Sequence, residues 1–261
     1  MTAHVITDNS YYSDISEGNT SGKSVIHKFG RHLGVGTSFV PISVGGIYRT
    51  PQPAAATTLR IKAGNAADTS NGAGARTVYI EGLNASGVLT SETLTTNGAS
   101  AGTASSNSYI RLFRAYVATS GTYATSAAGS HTASIVIENS AGTENWATID
   151  ATNFPKGQSE IGVYSVPLGY TAYIKNIDIH VETSKPANVL LFQRQNILET
   201  AAPYTAMRAV YNVIGTVDEV ILPREMPLGP FPALTDLGFM GRVASTSASV
   251  SVFYDIILIA D

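Results

Sequence analysis

The sequence predicts an all-β protein: an extended N-terminal arm over residues 1–50, followed by two antiparallel β-sandwich-like modules over 51–155 and 156–261. Three observations carry this. Short runs of alternating apolar and polar residues recur between turn-forming Gly, Asn and Pro, the period of strands buried on one face. Charged residues make up 13% of the chain, about half the usual share, and hydroxyls replace them, with 26 Ser and 28 Thr. Helical periodicity persists nowhere; only 196–204 hints at a helical turn, which Pro203 would end. A chain of 261 residues suffices for two β modules, each with its own core.

The arm mixes polar stretches with isolated apolar residues and is rich in Gly, at 18, 22, 30, 34, 36, 45 and 46. It cannot build a core of its own, so its order must come from something it lies against. Tyr11, Tyr12, Ile15, Phe29 and Phe39 are the expected anchors, seated on a neighbouring subunit. Deleting residues 1–45 is then expected to leave folded modules.

In the first module, strands are expected at 58–63, 77–81, 88–96, 109–117, 132–138 and 146–149. The turn Asn84-Ala85-Ser86-Gly87 has the residue types that positive φ favours. In the second, strands are expected at 160–166, 171–182, 188–195, 207–214, 219–222, 234–243 and 249–259. Along 171–182, Ile174, Asn176, Asp178 and His180 alternate with Lys175, Ile177, Ile179 and Val181. The final strand is apolar on both faces towards its end, so both need cover. For Ile257 and Ile259 that cover is either a neighbouring subunit, making the protein a homo-oligomer with a trimer favoured, or the rest of the same chain.

Motifs of chemistry are weak throughout. With no Cys there is no thiol nucleophile, thiolate metal site or disulfide. His4, His27, His32, His131 and His180 lack metal-ligand spacing, and no metal or other cofactor is expected. Gly72-Ala73-Gly74-Ala75-Arg76-Thr77 resembles a phosphate loop only superficially, because a β-type run follows instead of a helix. Gly36-Thr37-Ser38-Phe39 departs from the nucleophile elbow at its last position. Arg111 and Arg114 can pair with a carboxylate or reach a neighbour, but they make no basic stripe, and a net charge of −3 argues against nucleic acid. No apolar run approaches the roughly 20 residues of a membrane span, and the first residues do not read as a secretion signal. No catalytic residue is expected, and the chain does not read as an enzyme.

Several segments, in order, resemble a family of structural proteins of tailed-bacteriophage virions. They are His27-Lys28-Phe29-Gly30-Arg31 with Gly45-Gly46-Ile47-Tyr48; Asn65 to Thr69 running into Gly72 to Val78; Ile110 to Val117; Tyr164 to Tyr173; and Phe231 to Leu237. The resemblance implies a virion location after assembly in the host cytoplasm, contact with the major capsid protein or other virion proteins, and no catalytic residues. With the arm, it leads to the expectation of a capsid decoration or cement protein. The alternatives are a tail, neck or fibre-attachment component and, from another class, a carbohydrate-binding adsorption module suggested by the 13 tyrosines.

Overall fold

The computed structural model describes residues 10–44, 55–125, 128–152, 156–244 and 246–261. A short helix, α1 (Ser10–Ser16), opens the chain, followed by β1 (Lys23–Val35) and β2 (Val40–Pro41). The first module contains β3 (Thr57–Ala63), β4 (Ala75–Asn84), β5 (Leu89–Thr95), β6 (Ser108–Ser120), β7 (Ile135–Asn139) and β8 (Asn145–Ile149). The second contains β9 (Val163–Ser165), β10 (Tyr170–Val181), β11 (Ala187–Arg194), β12 (Arg208–Thr216), β13 (Asp218–Phe231), β14 (Asp236–Val243) and β15 (Ala248–Ala260). All named strand pairs are antiparallel. The protein is all-β and sandwich-like.

The first module is one sheet in the order β5-β4-β6-β3-β7-β8. Its inward positions, among them Leu59, Ile61, Ile80, Ile135, Ile137 and Trp146, form one core. Ser159 draws the far strand back towards β6: it bridges to Ile149, its N–H donates to the Ala115 carbonyl at 2.8 Å, and its Oγ accepts from the Ala115 amide at 2.9 Å. The β4–β5 turn forms where Asn and Gly predict it. Asn84 Oδ1 accepts from the amides of Ser86 and Val88, and Gly87 takes φ +76°.

The glycine-rich loop before β4 wraps the chain's own carboxylate. Asp68 is fully buried and accepts from the amides of Ala75 (2.9 Å), Thr132 (3.0 Å) and Ala133 (3.2 Å). A Cβ on Gly74 would come within 2.0 Å of Asp68 Oδ1, so the glycine admits this close approach. The same bonds explain why β7 starts at Ile135 and not at Thr132: the amides of Thr132 and Ala133 are engaged elsewhere.

The second module is a sandwich. One sheet runs β1-β15-β10-β13 and the other β12-β11-β14-β2, with β9 also on β14. Ile177, Ile179, Val250, Val252 and Tyr254 face Val189, Leu191, Leu237 and Phe239 across the core. A bulge in β10 corrects the strict alternation expected there. Ile174 pairs Ile256 and Ile177 pairs Tyr254, so β10 carries one extra residue and Ile174 joins Ile177 and Ile179 in the core. The 196–204 segment is not helical. Glu199 accepts from the Thr205 amide and hydroxyl, both at 2.7 Å, and from Arg194 Nη2 at 3.0 Å, which holds the segment as a loop.

The N-terminal segment is not wholly extended, since it opens on the helix α1 that no periodicity announces, and what it lies against is its own chain. β1 pairs β15 from Lys23↔Ile259 to Val35↔Ala248, and Val35 and Ile42 are fully buried. The strand escapes a hydrophobic-pattern reading because its inward positions include Lys28 and Gly30. Gly30 is required by packing: a Cβ there would lie 2.2 Å from the Gly162 amide nitrogen.

β1 also takes part in joining the modules. Arg111 on β6 donates from Nε to Asp236 Oδ1 (3.0 Å) and from Nη2 to Oδ2 (2.9 Å), and Ser165 donates its hydroxyl to the same carboxylate. Lys28 Nζ donates to the Phe113 carbonyl at 2.6 Å, and Arg31 donates to Glu160 at 2.7 Å. The cores interlock too: Leu83, Ile110 and Phe113 belong to the second module's cluster, and Ile161, Val163 and Phe192 to the first's.

Two predictions follow from β1. Deleting residues 1–45 removes α1, two strands and five buried side chains, Ile15, Lys28, Val35, Ile42 and Val44, and uncovers β15. The truncated protein should therefore lose more than about 5 kcal/mol, since each large core deletion costs roughly 2–5; an unchanged midpoint in denaturant would contradict this. Burial pushes the Lys28 ammonium from 10.5 down to about 7, a shift that Glu81 opposes and Arg114 reinforces. Between those values the unfolded chain holds a proton that the folded chain lacks, so this group's contribution rises with pH across the window and is lost as pH falls towards 7. Lys28→Met abolishes that dependence: its stability relative to wild type should be greater near about pH 6 than near about pH 10. A pH-independent difference in denaturant titrations would refute the assignment.

Candidate interaction surface

The expected anchors all find partners within the chain wherever their side chains are described. The backbone of Tyr11 lies in α1, while its side chain falls outside the described residues. Tyr12 places its ring 4.4 Å from Lys175 Nζ on β10, and Ile15 is 2% exposed. With α1 packed on β1, this seats the helix on the outer face of the β1-β15-β10-β13 sheet. Phe29 stacks on Phe253 with ring centroids 5.5 Å apart, and the Arg242 guanidinium lies 5.1 Å from the centre of the Phe39 ring. β15 runs between β1 and β10, with Ile257 paired to Val25 and Tyr173, and Ile259 to Lys23 and Thr171. Ile257 is 4% exposed and Ile259 is half-buried. Among the described residues, the arm anchors and Ile257 therefore find contacts within the chain. The structure gathers Tyr12, Ile15, Phe29, Ile257 and Ile259 about one sheet and leaves Phe39 apart, against β14.

The histidines are dispersed. His4 lies outside the described residues. His27 Nδ1 lies 2.6 Å from Asp255 Oδ1, and His32 Nδ1 accepts from the Gly34 amide. His131 is buried beside Ser130, and burial pushes its pKa down. His180 Nε2 lies 3.7 Å from Glu219. Among the described residues no three His, Cys, Asp or Glu side chains gather as a metal ion requires. Arg111 is taken up by Asp236, whereas Arg114 is exposed, with its guanidinium 5.2 Å from the Tyr116 ring centre.

Two surface features went unread in the sequence. One is a groove of about 500 Å³ between the modules, with His27, Glu81, Leu89, Arg114, Gln158 and Tyr170 among its lining. The stretch of β1 from Ser24 to Phe29 borders it, and a recess of about 60 Å³ with Lys28 in its wall adjoins it. Val88, Leu89 and Leu168, each more than 40% exposed, surround its Leu89 side.

The other is the flank formed by β12 and β13, which are edge strands of the two facing sheets. Met207 (44%), Ile214 (74%) and Val217 (39%) are exposed along β12 and at its two ends, while Ile221 (58%) is exposed on the outer face of the other sheet, paired with Asp178. Isolated exposed apolar side chains are ordinary, but a run of them on one flank marks a contact surface. In sequence, 207–214 reads as a plain half-buried strand; that it lies at an edge follows only from the sheet order.

No protein-family model matches the chain, and no curated protein matches it. Among solved structures, the chain is similar to one of infectious bursal disease virus, Gx strain, at 8% identity, covering 92% of this chain and 73% of that one with a TM-score of 0.25. A structure of the Gt strain matches at 8% identity, covering 91% and 75%, with a TM-score of 0.20. Likenesses at such TM-scores say nothing about function.

Proposed function

We propose that the protein is a structural component of a tailed-bacteriophage virion, placed on the capsid shell as a decoration or cement protein. One observation carries the reading. Four of the five segments that resemble the virion family contribute residues to the junction between the modules, while the fifth, 65–78, wraps Asp68 within the first module. Lys28 and Arg31 lie in the first, Arg111 and Phe113 in another, Tyr164 and Ser165 in a third, and Asp236 in the last. Much of a resemblance scattered along the chain thus comes together at one place in three dimensions. It concerns how a two-module β body is held together, which is the property a shell component needs under load.

The arm no longer supplies the contacts in this reading, because its described anchors are engaged within the chain. Contact with the major capsid protein falls instead to a surface left open, the groove beside β1. Quantitative mass spectrometry of purified particles tests the proposal. A shell protein should appear at a stoichiometry comparable with the major capsid protein. A copy number matching one ring of subunits would overturn the shell assignment in favour of a tail or neck component, and absence from particles would overturn both.

A further inference from the structure

We propose that the β12–β13 flank is a self-association surface, on which two copies of the chain meet about a two-fold axis with their β12 strands antiparallel. This goes beyond the virion reading and does not depend on it.

The occupant follows from the chemistry of the flank. Its apolar residues Ile214 and Val217 lie between unlike charges at the two ends. Arg208 opens β12 and is exposed; Asp218 opens β13, just past the other end of β12, and is exposed as well, while Glu219 beside it pairs with His180 on the outer face of the other sheet. Arg208 and Asp218 have no ion pair among the described residues, while Lys185, near the acidic end, is already held by Glu182 at 2.6 Å. From Arg208 to Thr216 the strand covers roughly 26 Å, at about 3.3 Å per residue. A surface that is basic at one end, acidic at the other and apolar between is complementary to itself when turned end for end. That is the requirement of an isologous contact.

The strands also differ in a way that selects β12 as the meeting edge. β13 carries Pro223, Pro227 and Pro230, which lack the N–H needed to extend a sheet, so its edge is protected against strand addition. β12 has no proline, and its one ladder partner among the described residues is β11. An axis near Asn212, the middle of β12, sets Arg208 of one copy opposite Thr216 of the other and so towards its Asp218, and sets Ile214 of each copy opposite Val210 of the other.

The full chain tests this directly. Sedimentation of wild type at high concentration should show a dimer. Ile214→Asp, at a position 74% exposed, should keep the wild-type circular dichroism spectrum and weaken dimerisation at least about tenfold. Because the chain contains no Cys, Asn212→Cys introduces a single thiol. Placed at the axis, it should form a disulfide-linked dimer on mild oxidation, whereas Ser86→Cys, in the distant β4–β5 turn, should not. Arg208→Glu should weaken the dimer, and adding Asp218→Arg should restore part of the loss. A monomer, a trimer, an Ile214→Asp protein of unchanged affinity, or failure of the Asn212 thiols to cross-link would each overturn the proposal.

Discussion

Arg111 and Asp236 lie 125 positions apart in sequence, at 3% and 0% side-chain exposure, and much of the architecture depends on their meeting. Burying two charges costs several kcal/mol for each ion, recovered only where geometry is good and the remaining polar atoms are satisfied. Here both carboxylate oxygens accept from the guanidinium, Ser165 donates to one of them, and Arg111 Nη1 donates to the Ile110 carbonyl. Because β6 carries the arginine and β14 the aspartate, the pair forms only when the modules sit in one relative position. Apolar contact alone tolerates sliding, whereas two parallel N–H···O bonds do not.

Other features are arranged around this fixed position. Phe113, two residues beyond Arg111, packs its ring 4.6 Å from that of Tyr164, and its carbonyl receives Lys28 from β1. The tip of the β4–β5 turn reaches across to accept from the Leu168 amide through the Gly87 carbonyl at 2.8 Å. The N-terminal segment is thus a tie between the modules. The groove beside β1 keeps its shape because both of its walls are fixed, and the β12–β13 flank lies on the other edge of the β1-β15-β10-β13 sheet.

Much of the fold could be read in the sequence where side-chain alternation matches burial. β15 is such a case, with Val250, Val252, Tyr254, Ile256 and Leu258 all facing the core. Reading fails where the buried residue is not apolar or the period breaks. β1 hides behind Lys28 and Gly30, and β10 shifts phase at its bulge. β13 continues through three prolines because it is an edge strand, where a missing N–H leaves no ladder bond unmade. The interaction surfaces were less legible still. An apolar residue such as Ile257 has the same sequence signal whether its own chain covers it or a neighbour does. The exposure of Ile214 depends on sheet order, and the partner of Arg111 on a topology that no local pattern encodes.

If the buried pair holds two β modules as one body, they should unfold together. Scanning calorimetry of wild type and Arg111→Met tests this most directly. Removing the guanidinium leaves Asp236 buried without a counter-charge, a loss of about 3–5 kcal/mol for a pair of this kind. The account predicts one cooperative transition for wild type, with calorimetric and van't Hoff enthalpies equal, and two separated transitions for the variant. Two transitions already present in wild type, or a single unshifted transition in Arg111→Met, would contradict it.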